Sequence, residues 1–128
     1  MKPPEWVLRD TVLSLHEELV AEFGGSSGIR DEGLLASALA RPANLLAYGK
    51  PSVFDLAASY AFGLVKNHAF IDGNKRIGFT TAAVFLEING YRLLASEADA
   101  VVQTLALAAG AINEADYSVW LKTKSKKA

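Results

Sequence analysis

Two stretches of this chain are apolar on almost every side of a helical wheel, and a short polar loop separates them. From Val53 to Asn67 the residues Leu56, Ala57, Ala58, Ala61, Phe62, Leu64 and Val65 leave little room for a solvated face. From about Asn74 to Asn89 the same holds through Ile77, Phe79, Ala82, Ala83, Val84, Phe85, Leu86 and Ile88. A helix that is hydrophobic all round is normally central and buried. Two of them need further helices to cover them, and the rest of the chain supplies candidates while strand-like alternation is scarce. The pattern therefore predicts an all-α chain, a compact bundle of about six helices.

The covering helices can be placed by periodicity and punctuation. Val7, Leu8, Val12, Leu15, Leu19 and Phe23 recur at helical spacing, which predicts a first helix over about 4–23, ended by the loop Gly24-Gly25-Ser26-Ser27-Gly28. On that helix His16 reads as a surface residue. Asp31 is placed to cap a second helix through Leu34, Leu35, Ala38 and Leu39, expected to stop near Pro42. The segment 46–53, with Gly49 and Pro51, reads as an irregular loop or a short hairpin over a site. Ser52 and Asp55 form a capping-box-like start for the first apolar helix, and Asn89-Gly90 a stop for the second. Ser96 with Asp99 opens a helix running to about Ala109, and Asn113 opens a last one through Trp120 and Leu121. Trp6 and Trp120 read as core anchors, with part of a partner groove as the alternative. Residues 122–128 hold four lysines and no apolar anchor, so they read as a frayed basic tail. With no repeat or linker, residues 1–128 are expected to form one domain.

Composition narrows the chemistry. The 128 residues include 51% hydrophobic ones and carry a formal net charge of -1, which argues against a disordered chain and against direct nucleic-acid binding through a basic face. There is no cysteine, which excludes thiolate nucleophiles, disulfides and zinc–thiolate sites. His16 and His68 are the only histidines, too few for a multi-histidine metal centre. No basic start leads into a long apolar run, and charges interrupt every apolar stretch before membrane-spanning length, so the expectation is a soluble, cytoplasmic protein with no membrane partner.

The polar loop between the two buried helices is where chemistry is expected. It brings together Asn67, His68, Asp72, Asn74, Lys75 and Arg76. Polar groups near a core are costly unless they are paired or have a task. Phe70 and Ile71 are expected to anchor the loop to the core. Gly73-Asn74 starts a helix, whose first turn carries unpaired N–H groups and the positive end of the dipole, a natural anion site. Lys75 and Arg76 sit in that same turn, where cations oppose the dipole unless an anion binds there, and a phosphate chain fits both. Asp72 is a hard oxygen ligand of the kind that holds Mg²⁺ together with phosphate oxygens. His68 is positioned in sequence to accept a proton from an attacking hydroxyl. Each residue also has a purely structural reading: His68 and Asp72 as caps, Asn74 as a turn residue, Lys75 and Arg76 as surface charge. Their concentration within nine residues between buried helices favours a phosphate site.

The run His68-Ala69-Phe70-Ile71-Asp72-Gly73-Asn74-Lys75-Arg76 resembles the signature of the Fic/Doc superfamily, and Lys75 resembles its Doc branch, the toxins of Phd–Doc toxin–antitoxin pairs. Gly28-Ile29-Arg30-Asp31 with Leu34-Leu35 and Ala38-Leu39-Ala40-Arg41-Pro42 resembles the family's upstream segment, and Phe85 to Tyr91 the helix end that follows the motif. The resemblance implies a bundle with the motif loop and helix at its centre. It implies His68 as general base, Asp72 as Mg²⁺ ligand, and Gly73, Asn74, Lys75 and Arg76 as nucleotide-phosphate ligands. It further implies ATP as co-substrate, transfer of its γ-phosphate to a Ser/Thr hydroxyl of elongation factor Tu with arrest of translation, and a Phd-like antitoxin as partner. The alternatives are AMP transfer of the Fic type and an inactive antitoxin-binding module. Fic enzymes carry Gly at the position of Lys75 and Arg at that of Phe79, so this chain departs from the AMP-transfer pattern. Thr80 is a weaker candidate for a phosphate contact. No inhibitory Ser/Thr-x-x-x-Glu-Gly/Asn motif is present, so restraint is expected from the antitoxin, docked as an amphipathic helix in an apolar groove.

Overall fold

A computed structural model describes residues 3–128. Six helices carry the fold: α1 Arg9–Phe23, α2 Glu32–Tyr48, α3 Val53–Asn67, α4 Asn74–Ile88, α5 Glu97–Ala109 and α6 Glu114–Thr123. Two three-residue strands, β1 Tyr91–Leu93 and β2 Ser125–Lys127, pair antiparallel beside them. The all-α bundle expected from the two apolar segments is what the chain forms. One contiguous core takes residues from every helix, including Val12, Leu35, Leu64, Phe85, Leu107 and Tyr117.

α3 and α4 lie at the centre because small residues let them approach. A Cβ added at Gly78 of α4 would stand 2.7 Å from Val65 Cγ2 and 3.1 Å from the Ala61 carbonyl oxygen of α3. On the other side, a Cβ at Gly63 would stand 3.1 Å from Ala38 Cα of α2. Both glycines sit inside helices, where glycine is intrinsically unfavourable, so their value lies in close packing. α3 starts at the full capping box: Ser52 Oγ accepts from the Asp55 N–H at 3.1 Å, and Asp55 Oδ2 accepts from the Ser52 N–H at 2.9 Å. Ser118 of α6 donates to the other oxygen of Asp55 at 2.6 Å, tying α6 to the start of α3.

Several boundaries differ from expectation, each for a backbone reason. α1 begins at Arg9, with Leu8 extended as its N-cap and residues 3–7 outside any helix or strand. Asn89 holds that segment through both faces of Glu5, accepting from its N–H at 2.8 Å and donating to its carbonyl at 2.9 Å, while the Val7 N–H donates to Tyr60 Oη at 3.1 Å. Those side-chain partners replace helical hydrogen bonds. Trp6 stacks on Phe85, with ring centroids 5.9 Å apart, and Trp120 is buried, so both tryptophans belong to the core. α2 does not stop at Pro42 but continues to Tyr48. Proline removes one helical hydrogen bond there, yet Pro42 is itself buried, Leu46 packs on the core, and the neighbouring Arg41 pairs with Glu114 and lies over the Phe62 ring. Segment 46–53 consequently holds the end of α2 and a short connection, not a hairpin.

The expected frayed tail is also corrected. Thr123 ends α6, and β2 then pairs Ser125 with Leu93, Lys126 with Arg92 and Lys127 with Tyr91. The flanking bonds from Leu94 N–H to Lys124 O at 2.7 Å and from Ala128 N–H to Gly90 O at 2.9 Å extend the ladder. Backbone pairing holds this segment, which is why its lysine-rich composition concealed it.

Two stability predictions arise from this packing. Gly78→Ala should lower the urea midpoint, because overpacking against Val65 and the Ala61 carbonyl, about 1–3 kcal/mol, exceeds the gain of about 1 kcal/mol from better helix propensity. A midpoint equal to or above that of the parent chain would refute the close-approach argument. Burial pushes the Asp55 carboxyl up, but hydrogen bonds from Ser118 and Ser52 and the Lys122 charge outweigh it and hold the group below its ordinary value of 3.8. The stability this contributes is present above pH 3.8 and is lost as pH falls through the lower folded value. The stability gap between the parent and Asp55→Asn should therefore narrow in urea titrations below pH 3.8, and a gap that stays constant would show that Asp55's charge contributes nothing.

Candidate functional site

The connection from α3 to α4 is built from the inside outward. Phe70 is 1% exposed and its backbone is closed by one side chain: Asn74 Oδ1 accepts from the Phe70 N–H at 3.0 Å, and Asn74 Nδ2 donates to the Phe70 carbonyl at 2.9 Å. Asn74 is 4% exposed, so its amide is turned inward, and its N–H is what it offers at the helix entrance. Ile71 is about half exposed, so Phe70 and the buried Ala69 anchor the loop to the core.

The segment after α1 grips the same loop from outside. Ile29 and Phe70 form an antiparallel bridge, with Arg30 N–H donating to Ala69 O at 2.7 Å and Ile71 N–H to Gly28 O at 3.1 Å. The Arg30 guanidinium donates to the carbonyls of His68 at 2.7 Å and Asn67 at 3.2 Å. A cation at the carboxyl end of α3 satisfies orphan carbonyls and complements the dipole. It also holds His68 in the left-handed region, at φ 52°, as the C-cap of α3. Among the described residues His68 is the one non-glycine residue with positive φ, a conformation that histidine visits more readily than most residues. Its ring is exposed at the cavity rim and makes no hydrogen bond among the described residues.

Asp72 is held at two points. Its Oδ2 accepts from the Ser26 N–H at 2.7 Å. Its carbonyl lies 2.8 Å from His16 Nε2, which must be the donor because a carbonyl oxygen only accepts. His16 is not the surface residue its position on α1 suggested. It is 1% exposed and stacks on the Phe70 ring, centroid to centroid 3.9 Å. Gly73 follows as the N-cap of α4, at φ 76°.

The entrance of α4 is cationic and faces open space. The first intrahelical bond runs from the Ile77 N–H to Gly73 O at 2.9 Å, leaving the N–H groups of Asn74, Lys75 and Arg76 at the helix entrance. No acidic residue occupies that turn. Lys75 and Arg76 are exposed, and the Arg76 guanidinium lies 4.4 Å from the centre of the Phe23 ring. A cavity of about 680 Å³ opens in front of them. His68, Asp72, Gly73, Asn74, Lys75, Arg76 and Thr80 all line it, whereas Asn67 does not and instead donates to the Leu34 carbonyl at 2.9 Å. The opposite wall is formed by α5 through Glu97, Ala100, Val101, Thr104 and Leu105, with Leu19 and Phe23 of α1 contributing apolar surface. Phe79 also lines the cavity and packs on Trp120 at 6.3 Å, so the second turn of α4 presents an aromatic ring, not a cation, to the cavity.

The donor set decides which metals can fit. No group of three or more His, Cys, Asp or Glu side chains capable of holding a metal occurs among the described residues. Asp72 supplies one carboxylate whose Oδ1 makes no protein hydrogen bond among them. One carboxylate suits Mg²⁺, which completes its octahedron with phosphate oxygens and water, and does not suit a closed protein cage.

His16, Ser26, Arg30 and Phe23 are site residues that sequence reasoning did not assign. Gly25 was a clue, since a Cβ there would stand 3.2 Å from Asp72 Cβ. The remaining signal was a histidine on an otherwise amphipathic helix, which by itself does not announce burial.

The family model of the Fic/DOC family matches residues 6–86. The toxin Doc of Mycolicibacterium smegmatis is 46% identical over 76 residues, covering 57% of this chain and 58% of that protein. The chain thus aligns with little more than half the length of that relative. No helix among the described residues is long and apolar enough to cross a membrane.

Asn74→Ala should destabilise the chain by about 2 kcal/mol or more, since it strands the buried N–H and carbonyl of Phe70, at about 1–3 kcal/mol for each unsatisfied group. Chemical denaturation checks this, and a loss under about 0.5 kcal/mol, the scale of ordinary surface substitutions, would mean the loop finds other partners.

Proposed function

Since the chain belongs to the Fic/DOC family, we propose that it is the toxin of a toxin–antitoxin pair and transfers the γ-phosphate of ATP to a Ser/Thr hydroxyl of a translation factor, with elongation factor Tu the first candidate. The observation that carries this reading is the acid-free, doubly cationic first turn of α4, facing a cavity whose rim bears an unencumbered imidazole.

In the proposed reaction the His68 ring accepts the proton of the target hydroxyl. The hydroxyl oxygen forms a bond to the γ-phosphorus as the bond from that phosphorus to the bridging oxygen breaks, and ADP leaves with the electron pair. Lys75, Arg76 and the first-turn N–H groups hold the phosphates and the charge that moves onto ADP, and Thr80 can add a hydroxyl contact. Asp72 is the residue that would hold Mg²⁺, which when bound would offset phosphate charge. Phosphoryl transfer depends mainly on positioning and electrostatic stabilisation, so this set is sufficient. Phe79 favours phosphate over AMP transfer, because no second arginine extends the anion site along α4. The apolar α5 face, with Val101 and Leu105 both about half exposed, suits an amphipathic antitoxin helix.

The test is mass spectrometry of elongation factor Tu after incubation with ATP, Mg²⁺ and antitoxin-free protein. A gain of one phosphate is expected. An adenylate would instead establish AMP transfer, and an unmodified target alongside no ATP binding would leave a binding module. His68→Ala should reduce transfer by about 10²–10⁴-fold, the range for losing a general base, while the chain stays folded with a modestly lower thermal midpoint, because the ring is exposed but alanine tolerates the left-handed backbone there less well than histidine. Undiminished transfer would remove His68 from the role of base.

A further inference from the structure

His16 is costly where it lies. It is 1% exposed, beneath the loop, and takes no part in the proposed transfer. A buried imidazole needs a hydrogen bond to offset lost hydration. It makes one, to the carbonyl of Asp72. That carbonyl belongs to the residue immediately before the Gly73 N-cap, so its direction sets where the Asp72 side chain leaves the backbone and how α4 begins. The stack on Phe70 fixes the plane of the ring, and Phe70 is locked by Asn74. The other hold on Asp72, from Ser26 N–H to Oδ2, comes from the glycine loop that directly follows α1. One helix and its exit loop therefore grip both ends of this residue and leave Oδ1 without a protein partner among the described residues.

We propose that His16 is a positioning residue: through its Nε2–H bond to the Asp72 carbonyl it orients the Asp72 carboxylate toward a metal–nucleotide ligand. The inference rests on the assignment of Asp72 to Mg²⁺. Groups that orient a metal ligand without touching the metal typically change metal affinity by about 10–100-fold when removed. A core histidine that merely fills space would affect the fold and all ligands alike.

Two substitutions separate these roles in the full chain. His16→Phe keeps an aromatic ring against Phe70 but has no donor. His16→Gln has a donor at a comparable reach but no ring. Calorimetry with ATP, with and without Mg²⁺, is the readout, with thermal melts recorded for each variant. His16→Phe should raise the half-saturating Mg²⁺ concentration about ten-fold or more while metal-free ATP affinity stays within about two-fold. His16→Gln should restore most of the Mg²⁺ response despite a lower melting temperature. An unchanged Mg²⁺ response in His16→Phe, or equal loss in both variants, overturns the inference. Nitrogen NMR of the ligand-free parent gives an independent check: a protonated Nε2 in slow exchange with water is expected, and an Nδ1–H tautomer overturns the tether. If ATP binding by the parent ignores Mg²⁺, the metal assignment of Asp72 fails, an outcome separate from a parent that responds to Mg²⁺ and a His16→Phe variant that responds equally.

Discussion

Two hydrogen bonds between the Asn74 amide and the Phe70 backbone hold the centre of this molecule in register. Without them the connection between two buried helices would carry an unpaired N–H and carbonyl into the core, and such groups in native structures are nearly always paired. With them the loop turns tightly, and α4 starts with its first N–H groups aimed at the cavity. The close approach of α3 and α4 at Gly78 and Ala61 sets how the two ends of the loop can sit. The shape of the candidate site is thus a consequence of core packing.

The polar residues of the motif divide into two classes by what they touch. Asn74 is spent on the loop, and the carbonyls of His68 and Asp72 are spent on Arg30 and His16. The His68 ring, Asp72 Oδ1, the Lys75 ammonium and the Arg76 guanidinium make no hydrogen bond within the protein among the described residues, and all four residues line the same cavity. A residue such as His68 thereby serves twice, through a backbone atom that is held and a side chain that is left available. The two helix ends involved are opposite in polarity. The carboxyl end of α3 is neutralised by Arg30, whereas the amino end of α4 gathers more positive charge.

Much of the bundle was legible in the sequence because its signals are local. The capping box at Ser52 and Asp55, the caps at Ser96 and Asn113 and the stop at Asn89 depend on residues a few positions apart, and the corresponding helix ends fall within a residue of expectation. What was hidden is held by distant partners. Glu5 stays outside α1 because Asn89 reaches it from across the chain, and β2 is a strand because β1 lies beside it. Pro42 stays helical because tertiary burial outweighs one lost bond. At the site, the cluster from His68 to Arg76 was visible as a conflict between polarity and burial. His16 was not visible, since its partner lies 56 positions later and its helix also carries an exposed apolar residue, Phe23.

The cationic entrance of α4 is the feature least explained by stability. Each cation near a helix N-terminus opposes the dipole by about 0.3–1 kcal/mol, and neither Lys75 nor Arg76 makes a salt bridge among the described residues. The glycine N-cap adds no side-chain acceptor to offset them. A fold under no other demand would place an acid there, as α3, α5 and α6 all do. An anionic ligand reverses the sign of all three terms at once, because dipole, N–H groups and side-chain cations then act on the same charge. Phe79 on the next turn limits the reach of that charge along the helix and packs instead on Trp120. The positive region is therefore short, bounded by an aromatic ring on α4 and by Phe23 under Arg76, with His68 at its open edge. The cationic surface is thus confined to the first turn of α4 and does not continue along the helix.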